Sequence, residues 1–189
     1  TGVQTCALPI CAELDAYLAI SVDQPSGRVR VAQDLANRGQ LAAAEKEIQL
    51  AAGWDPFSPG IRETLGFVLN AEGKAREAAA AFFRAAQLQP TDAQSAYRAA
   101  LAFAEAQQFQ DAELAFRLTL DRDAKFDRAW YNLGLLLSRT ERVSDAIAAL
   151  KKAEALNAAS ADYPYALATI LLRTGDKDSA QAEIGRAHV

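Results

Sequence analysis

The sequence predicts an all-α solenoid, in which antiparallel helix pairs stack one after another along the chain. The first observation is a ladder of small residues at a 34-residue period: Ala44, Ala78, Ala112, Ala146 and Ala180. The second is a ladder of large apolar residues at the same period: Ile48, Phe82, Phe116 and Leu150. A fixed period of this length is typical of helical repeats that bury their apolar faces only against their neighbours.

Each period contains two amphipathic segments separated by a short polar turn. Glycines such as Gly39, Gly73 and Gly175 suit the left-handed residue that ends a helix. Pro56 and Pro90 stand between periods, where proline ends one helix and leaves the next free to begin. We therefore predict helices over 26–38, 41–53, 59–71, 75–88, 93–106, 109–121, 127–138, 143–156, 162–173 and 177–185.

The two ends resemble a sequencing-library adapter that has been translated. Codons can be chosen so that residues 1–10 and 184–189 encode the same adapter read from opposite strands. We expect neither end to be native, which removes Cys6 and His188 from any argument about chemistry. Residues 11–24 follow the first end, and Leu14, Tyr17 and Leu18 share a helical face there. This segment is expected to be the second helix of a preceding, truncated pair.

Composition and charge exclude several classes of protein. The net charge is −4 and the charged residues are dispersed, so the chain has no basic footprint for nucleic acid. No apolar stretch approaches the roughly 18 residues that span a bilayer. We therefore expect neither a nucleic-acid partner nor a membrane span.

The ladders resemble the tetratricopeptide repeat (TPR). Its signature has a large-small pair and a bulky residue on the first helix, then alanine, an aromatic residue and alanine on the second, with a closing proline. The best copy is formed by Leu65, Gly66, Leu69, Ala78, Phe82, Ala85 and Pro90. The resemblance implies a right-handed superhelix of about five repeats over residues 25–183. Its copies are expected at 25–58, 59–92, 93–126, 127–160 and, in part, 161–183.

Catalysis and cofactor binding find no support in the sequence. Without a native histidine, neither a Ser-His nor a Cys-His nucleophile can be assembled. The glycines are dispersed over repeat positions and form no phosphate-binding loop. We expect no catalytic residue, no metal and no cofactor.

Tyr97, Tyr131 and Tyr165 form a further ladder at the 34-residue period. In the resembling family, this position of the first helix points into the concave groove. Rigid phenol rings provide a large amphipathic contact area at low entropic cost, as in binding hot spots. The alternative interpretation is that each tyrosine packs against the neighbouring repeat.

The groove interpretation adds polar and aromatic flanks to the tyrosines. These candidate peptide-binding residues are Gln94, Arg98, Arg128, Asn132 and Ser138, together with Phe67 and Asn70 one repeat earlier. Such a surface suits an extended peptide whose apolar side chains lie on the rings, while Arg and Asn bind carbonyls or a carboxylate.

We therefore predict a non-catalytic scaffold that binds a protein or peptide segment. Two alternatives stay open. One is the repeat arm of a larger exported enzyme or multihaem cytochrome c, whose haem-attachment motifs would lie outside this sequence. The other is a self-assembly module, because Leu167, Leu171 and Leu172 are expected to lack a following repeat to cover them.

Overall fold

The computed structural model describes residues 24–187, which form ten α-helices and no strand. The expectations for residues 1–23, including the helix with Leu14, Tyr17 and Leu18, lie outside this range, as does the one for His188. Within it, every helix is too short or too polar to cross a membrane.

Each helix boundary lies within two residues of the predicted one. The helices are α1 (Pro25–Asn37), α2 (Leu41–Trp54), α3 (Pro59–Ala71), α4 (Ala75–Leu88), α5 (Ala93–Glu105), α6 (Phe109–Arg122), α7 (Asp127–Arg139), α8 (Val143–Leu156), α9 (Asp162–Thr174) and α10 (Lys177–Ala187).

The chain divides into two compact units. Unit 1 ends at Leu88, and unit 2 begins at Gln89. In unit 1, α1 pairs with α2 and α3 with α4, and α2 also packs on α3. In unit 2, the pairs are α5 with α6, α7 with α8 and α9 with α10; α6 packs on α7 and α8 on α9. Each unit is therefore a stack of helix pairs, as the period predicts.

The ladder positions are the contact points of these pairs. All five alanines of the first ladder are fully buried, and so are Ile48 and Leu150 of the second. Gly134 lies so close to its partner helix that a Cβ there would stand 2.7 Å from Leu150 Cγ. Small residues thus recur where two helices approach most closely, because a larger side chain would have no space.

The turns inside the pairs share one backbone conformation. Residues 39, 73, 107, 141 and 175 all have positive φ and lie 34 residues apart. Glycine occupies three of these positions, whereas Gln107 and Glu141 adopt φ values of 60° and 63°. The turn geometry therefore follows the period even where glycine is missing.

The last helix pair covers most of the apolar side chains expected to be exposed there. Leu167 and Leu171 are buried, and Ala168, Leu171 and Ala180 form a small core. Leu172 is exposed. Of the three leucines considered for self-assembly, a single one is therefore available at the surface.

Candidate functional site

The first tyrosine of the ladder lies in the core of unit 2. Tyr97 is 8% exposed, and its ring centroid lies 4.8 Å from that of Phe126 and 6.1 Å from that of Phe116. Its hydroxyl accepts a hydrogen bond of 2.9 Å from Asn132 Nδ2. Burial raises the pKa of Tyr97 above its ordinary value. Tyr97 is therefore packed among other side chains of the fold, as the alternative interpretation of the tyrosine ladder describes.

The other two tyrosines are progressively more accessible. Tyr131 on α7 is half-buried, with its ring centroid 5.1 Å from that of Tyr163. Tyr165 on α9 is 41% exposed. The helices α7 and α9 that carry these two tyrosines are in contact. We call Arg128, Tyr131, Tyr165 and Leu172 the tyrosine surface.

The polar candidates of unit 2 separate into two groups. Asn132 donates to both the Tyr97 hydroxyl and the Arg128 carbonyl, so its amide is occupied within the fold. Ser138 is buried, and its hydroxyl accepts a hydrogen bond of 3.1 Å from Arg173. By contrast, Gln94 and Arg128 are exposed and Arg98 is half-buried.

A hydrogen-bond cluster that the sequence did not indicate connects α7 with the last helix pair. Asp127 Oδ2 accepts from the Tyr163 hydroxyl at 2.7 Å and from Asn157 Nδ2 at 2.8 Å. Burial tends to raise the pKa of Asp127, but these hydrogen bonds outweigh it and hold the pKa below its ordinary value. Burial and the neighbouring carboxylate raise the pKa of Tyr163 to about 12.

Replacing Tyr163 by phenylalanine is expected to lower the free energy of unfolding by about 1 kcal/mol at pH 7, because a half-buried carboxylate loses a donor. A lowered carboxyl pKa stabilises the fold above the ordinary value of 3.8, and this stabilisation is lost as the pH falls. The difference between the two chains should therefore shrink as the pH falls below 3.8 in urea titrations. Tyr131→Phe is the control, since burial and the charge of Asp162, with no hydrogen bond among the described residues, set the pKa of the Tyr131 hydroxyl. Equal losses for both variants at pH 7 would contradict this role of Asp127.

Unit 1 contains a groove between α1 and α3, the first helices of its two pairs. The groove has a volume of about 1030 Å³ and runs along the length of α1, from Pro25 to Asn37. Its walls include Val29, Gln33, Ile61, Thr64, Phe67 and Val68. We call this the α1–α3 groove.

Phe67 and Asn70 were predicted from the sequence as part of a binding surface. Phe67 is 51% exposed and lines the α1–α3 groove, while its ring edge rests on Phe82 at a centroid distance of 5.1 Å. Asn70 is exposed on the same helix. The other groove residues were not predicted, although Gln33 lies one period before Phe67 and the period could have identified it.

Nowhere within residues 24–187 do three or more His, Cys, Asp or Glu side chains come together in a way that could hold an ion. The α1–α3 groove combines apolar and amide side chains with the charged residues Arg30, Asp55 and Glu63.

Comparison with known proteins agrees with this architecture. The family model for the tetratricopeptide repeat matches residues 127–160, the same range as the fourth predicted copy. No curated protein sequence matches the chain significantly.

Solved structures of repeat proteins match almost the whole chain. MamA (residues 41 to the end) from Desulfovibrio magneticus RS-1 is 21% identical, with 88% of this chain and 94% of that chain covered and a TM-score of 0.78. YrrB, described as a TPR protein with an unusual peptide-binding site, is 15% identical, with 85% and 83% covered and a TM-score of 0.71. A tetratricopeptide repeat protein from Parabacteroides merdae is 18% identical, with 86% and 65% covered and a TM-score of 0.77. The chain therefore contains a tetratricopeptide repeat and has the fold of tetratricopeptide-repeat proteins.

Proposed function

We propose that this chain is a non-catalytic scaffold that binds a protein or peptide segment along the first helices of its pairs. The observation that carries the proposal is the α1–α3 groove, with its volume of about 1030 Å³ and the half-exposed ring of Phe67 in its wall. Grooves of this size that combine apolar walls with a few polar groups are typical ligand sites.

The groove has the chemistry that an extended peptide requires. Phe67 and the half-buried Val29 provide apolar surface for side chains of the ligand, whereas Ile61 and Val68 line the groove but are almost fully buried. Gln33 and Asn37, one helical turn apart, present exposed carboxamides. A carboxamide can donate to and accept from a peptide backbone at once. A 13-residue helix such as α1 is roughly 20 Å long, which matches about six residues of extended chain.

The tyrosine surface is proposed as a second contact region, located within unit 2. Tyr165 and Leu172 provide exposed apolar area on α9, and Arg128 provides an exposed cation on α7. Arg128 is exposed, and its charge helps to lower the pKa of the neighbouring Asp127 carboxyl. In this proposal the guanidinium also binds a carboxylate of the ligand.

The test uses a phage-displayed library of random ten-residue peptides, selected on the intact chain. Phe67→Ala is expected to weaken the selected peptides at least tenfold, since truncating a central aromatic side chain removes a large part of an interface's binding energy. Phe57→Ala is the matched control, because Phe57 is 69% exposed but lies outside the groove. Affinities are measured by fluorescence anisotropy and helicity by circular dichroism.

Tyr165→Ala and Leu114→Ala form the corresponding pair in unit 2. Both side chains are exposed, but Leu114 lies on α6, the second helix of its pair. Peptides that contact the tyrosine surface should lose affinity with Tyr165→Ala alone. The proposal is wrong if the library gives no binders, or if the selected peptides bind Phe67→Ala and Tyr165→Ala as tightly as the unsubstituted chain.

A further inference from the structure

Glu63 departs from the pattern of the repeat at a position that lines the α1–α3 groove. The positions 34 residues before and after it hold Val29 and Tyr97, and the next two in the same series hold Tyr131 and Tyr165. A half-buried carboxylate thus stands on α3 where the other first helices carry an apolar or aromatic side chain. Desolvation makes a carboxylate more costly than an apolar residue at such a place. Since the repeat packs without a charge at this position, the carboxylate is a property of the groove.

The charges on the walls of the groove are unequal. Asp55 and Glu63 are acidic, and Arg30 is the one basic residue among those that line the groove. Asp55 precedes α3, and Glu63 lies near the start of that helix. A basic side chain of a ligand is attracted to this end by two carboxylates, whereas an acidic side chain is repelled by them. A carboxylate has about four acceptor sites, so Glu63 can accept from a ligand in addition to its contacts within the fold.

The spacing of Glu63 and Phe67 fits an extended peptide. The two residues are one helical turn apart on α3, so they follow each other along the groove at roughly 6 Å. In an extended chain, side chains two residues apart lie on the same side, roughly 7 Å from each other. A basic and an apolar side chain at this spacing can therefore contact the Glu63 carboxylate and the half-exposed Phe67 ring at once.

We propose that the α1–α3 groove selects segments in which a lysine or arginine stands two residues from a large apolar residue. The inference rests on the proposed function and adds the chemistry of the ligand to it. Glu63 and Asp55 bind the basic side chain, and Phe67 packs on the apolar one. The carboxamides of Gln33 and Asn37 are left for the peptide backbone. Acidic segments are rejected.

Fluorescence anisotropy with two labelled probe peptides tests this selectivity. Both peptides have ten residues, with phenylalanine at the sixth place in a background of serine and threonine, and they differ by lysine or glutamate at the fourth. The lysine peptide should bind the intact chain at least fivefold more tightly in about 0.05 M salt, because the carboxylates attract one peptide and repel the other. The preference should shrink in about 0.5 M salt, which screens these charges.

Variants of Glu63 separate a contact with the ligand from a role in the fold. Glu63→Gln should reduce the preference for the lysine peptide, and Glu63→Lys should reverse it in favour of the glutamate peptide. A loss of structure could weaken both peptides but could not exchange their order. Glu77→Gln is the matched control, because Glu77 is exposed on α4 and lies outside the groove. It should keep the preference of the unsubstituted chain.

The sequences of the phage-selected peptides distinguish this inference from the proposed function. Peptides that bind through Phe67 without enrichment of lysine or arginine two residues from an apolar residue overturn the inference and leave the proposed function standing. Equal or unmeasurable affinities of the two probe peptides also overturn it, as does a preference for lysine that persists in Glu63→Lys. If no library peptide binds, or if Phe67→Ala binds all of them unchanged, the proposed function and the inference are both wrong.

Discussion

Replacing Phe116 by alanine is expected to lower the free energy of unfolding of unit 2 by about 3–5 kcal/mol. Phe116 is 1% exposed and is the largest of the fully buried side chains within residues 24–187. Its ring also contacts Tyr97, whose own ring is buried beside it. The truncation leaves a cavity that the two neighbouring helices cannot close without breaking the ladder contacts on either side.

Urea titrations followed by circular dichroism measure this loss. Leu114→Ala, two residues earlier on the same helix, is the control, because Leu114 is exposed and truncation there should change stability by less than about 0.5 kcal/mol. Similar values for the two variants would show that the 34-residue ladder does not mark the core.

Replacing Gly134 by alanine is expected to lower the free energy of unfolding by about 2 kcal/mol, although alanine is the better helix former. The added Cβ would stand 2.7 Å from Leu150 Cγ and 3.2 Å from the Ala146 carbonyl oxygen. Leu150 is fully buried, so it has no space into which to move. The helices α7 and α8 must therefore separate slightly.

Gly53→Ala is expected to change the stability of the same chain in the opposite direction. Gly53 lies within α2, and a Cβ there would meet nothing within 4 Å. Relief of the glycine's backbone entropy should raise stability by about 0.5–1 kcal/mol. Thermal unfolding of both variants measures the two shifts. Stabilisation by both alanines would mean that the close approach at Gly134 is not rigid.

The fold could be predicted from the sequence because the same physical requirement recurs in every pair. A small residue is needed where helices touch, and a large one is needed to fill the space beside it. The period even identified the turns at Gln107 and Glu141, where no glycine indicates one. Each of these two turns contains a residue with positive φ, as the glycine turns do.

The binding surfaces could be predicted less well, because they depend on residues that do not repeat. Tyr97 and Tyr165 are equivalent in the period, yet Phe126 covers the first ring. Tyr163, which packs on Tyr131, likewise has no aromatic equivalent at position 129. The α1–α3 groove depends on how far apart two helices lie, and a sequence pattern reports which residues face each other but not the gap between them.

The packing of each helix almost entirely on its neighbours in sequence has a consequence for how quickly the chain can fold. Within each unit, the main contacts join helices that follow one another directly. Little loop-closure entropy has to be overcome before such contacts form. Proteins with local topology of this kind fold on a time scale of roughly microseconds to milliseconds. Each helix hairpin therefore needs only the adjacent pair, and no distant part of the chain, to cover its apolar face.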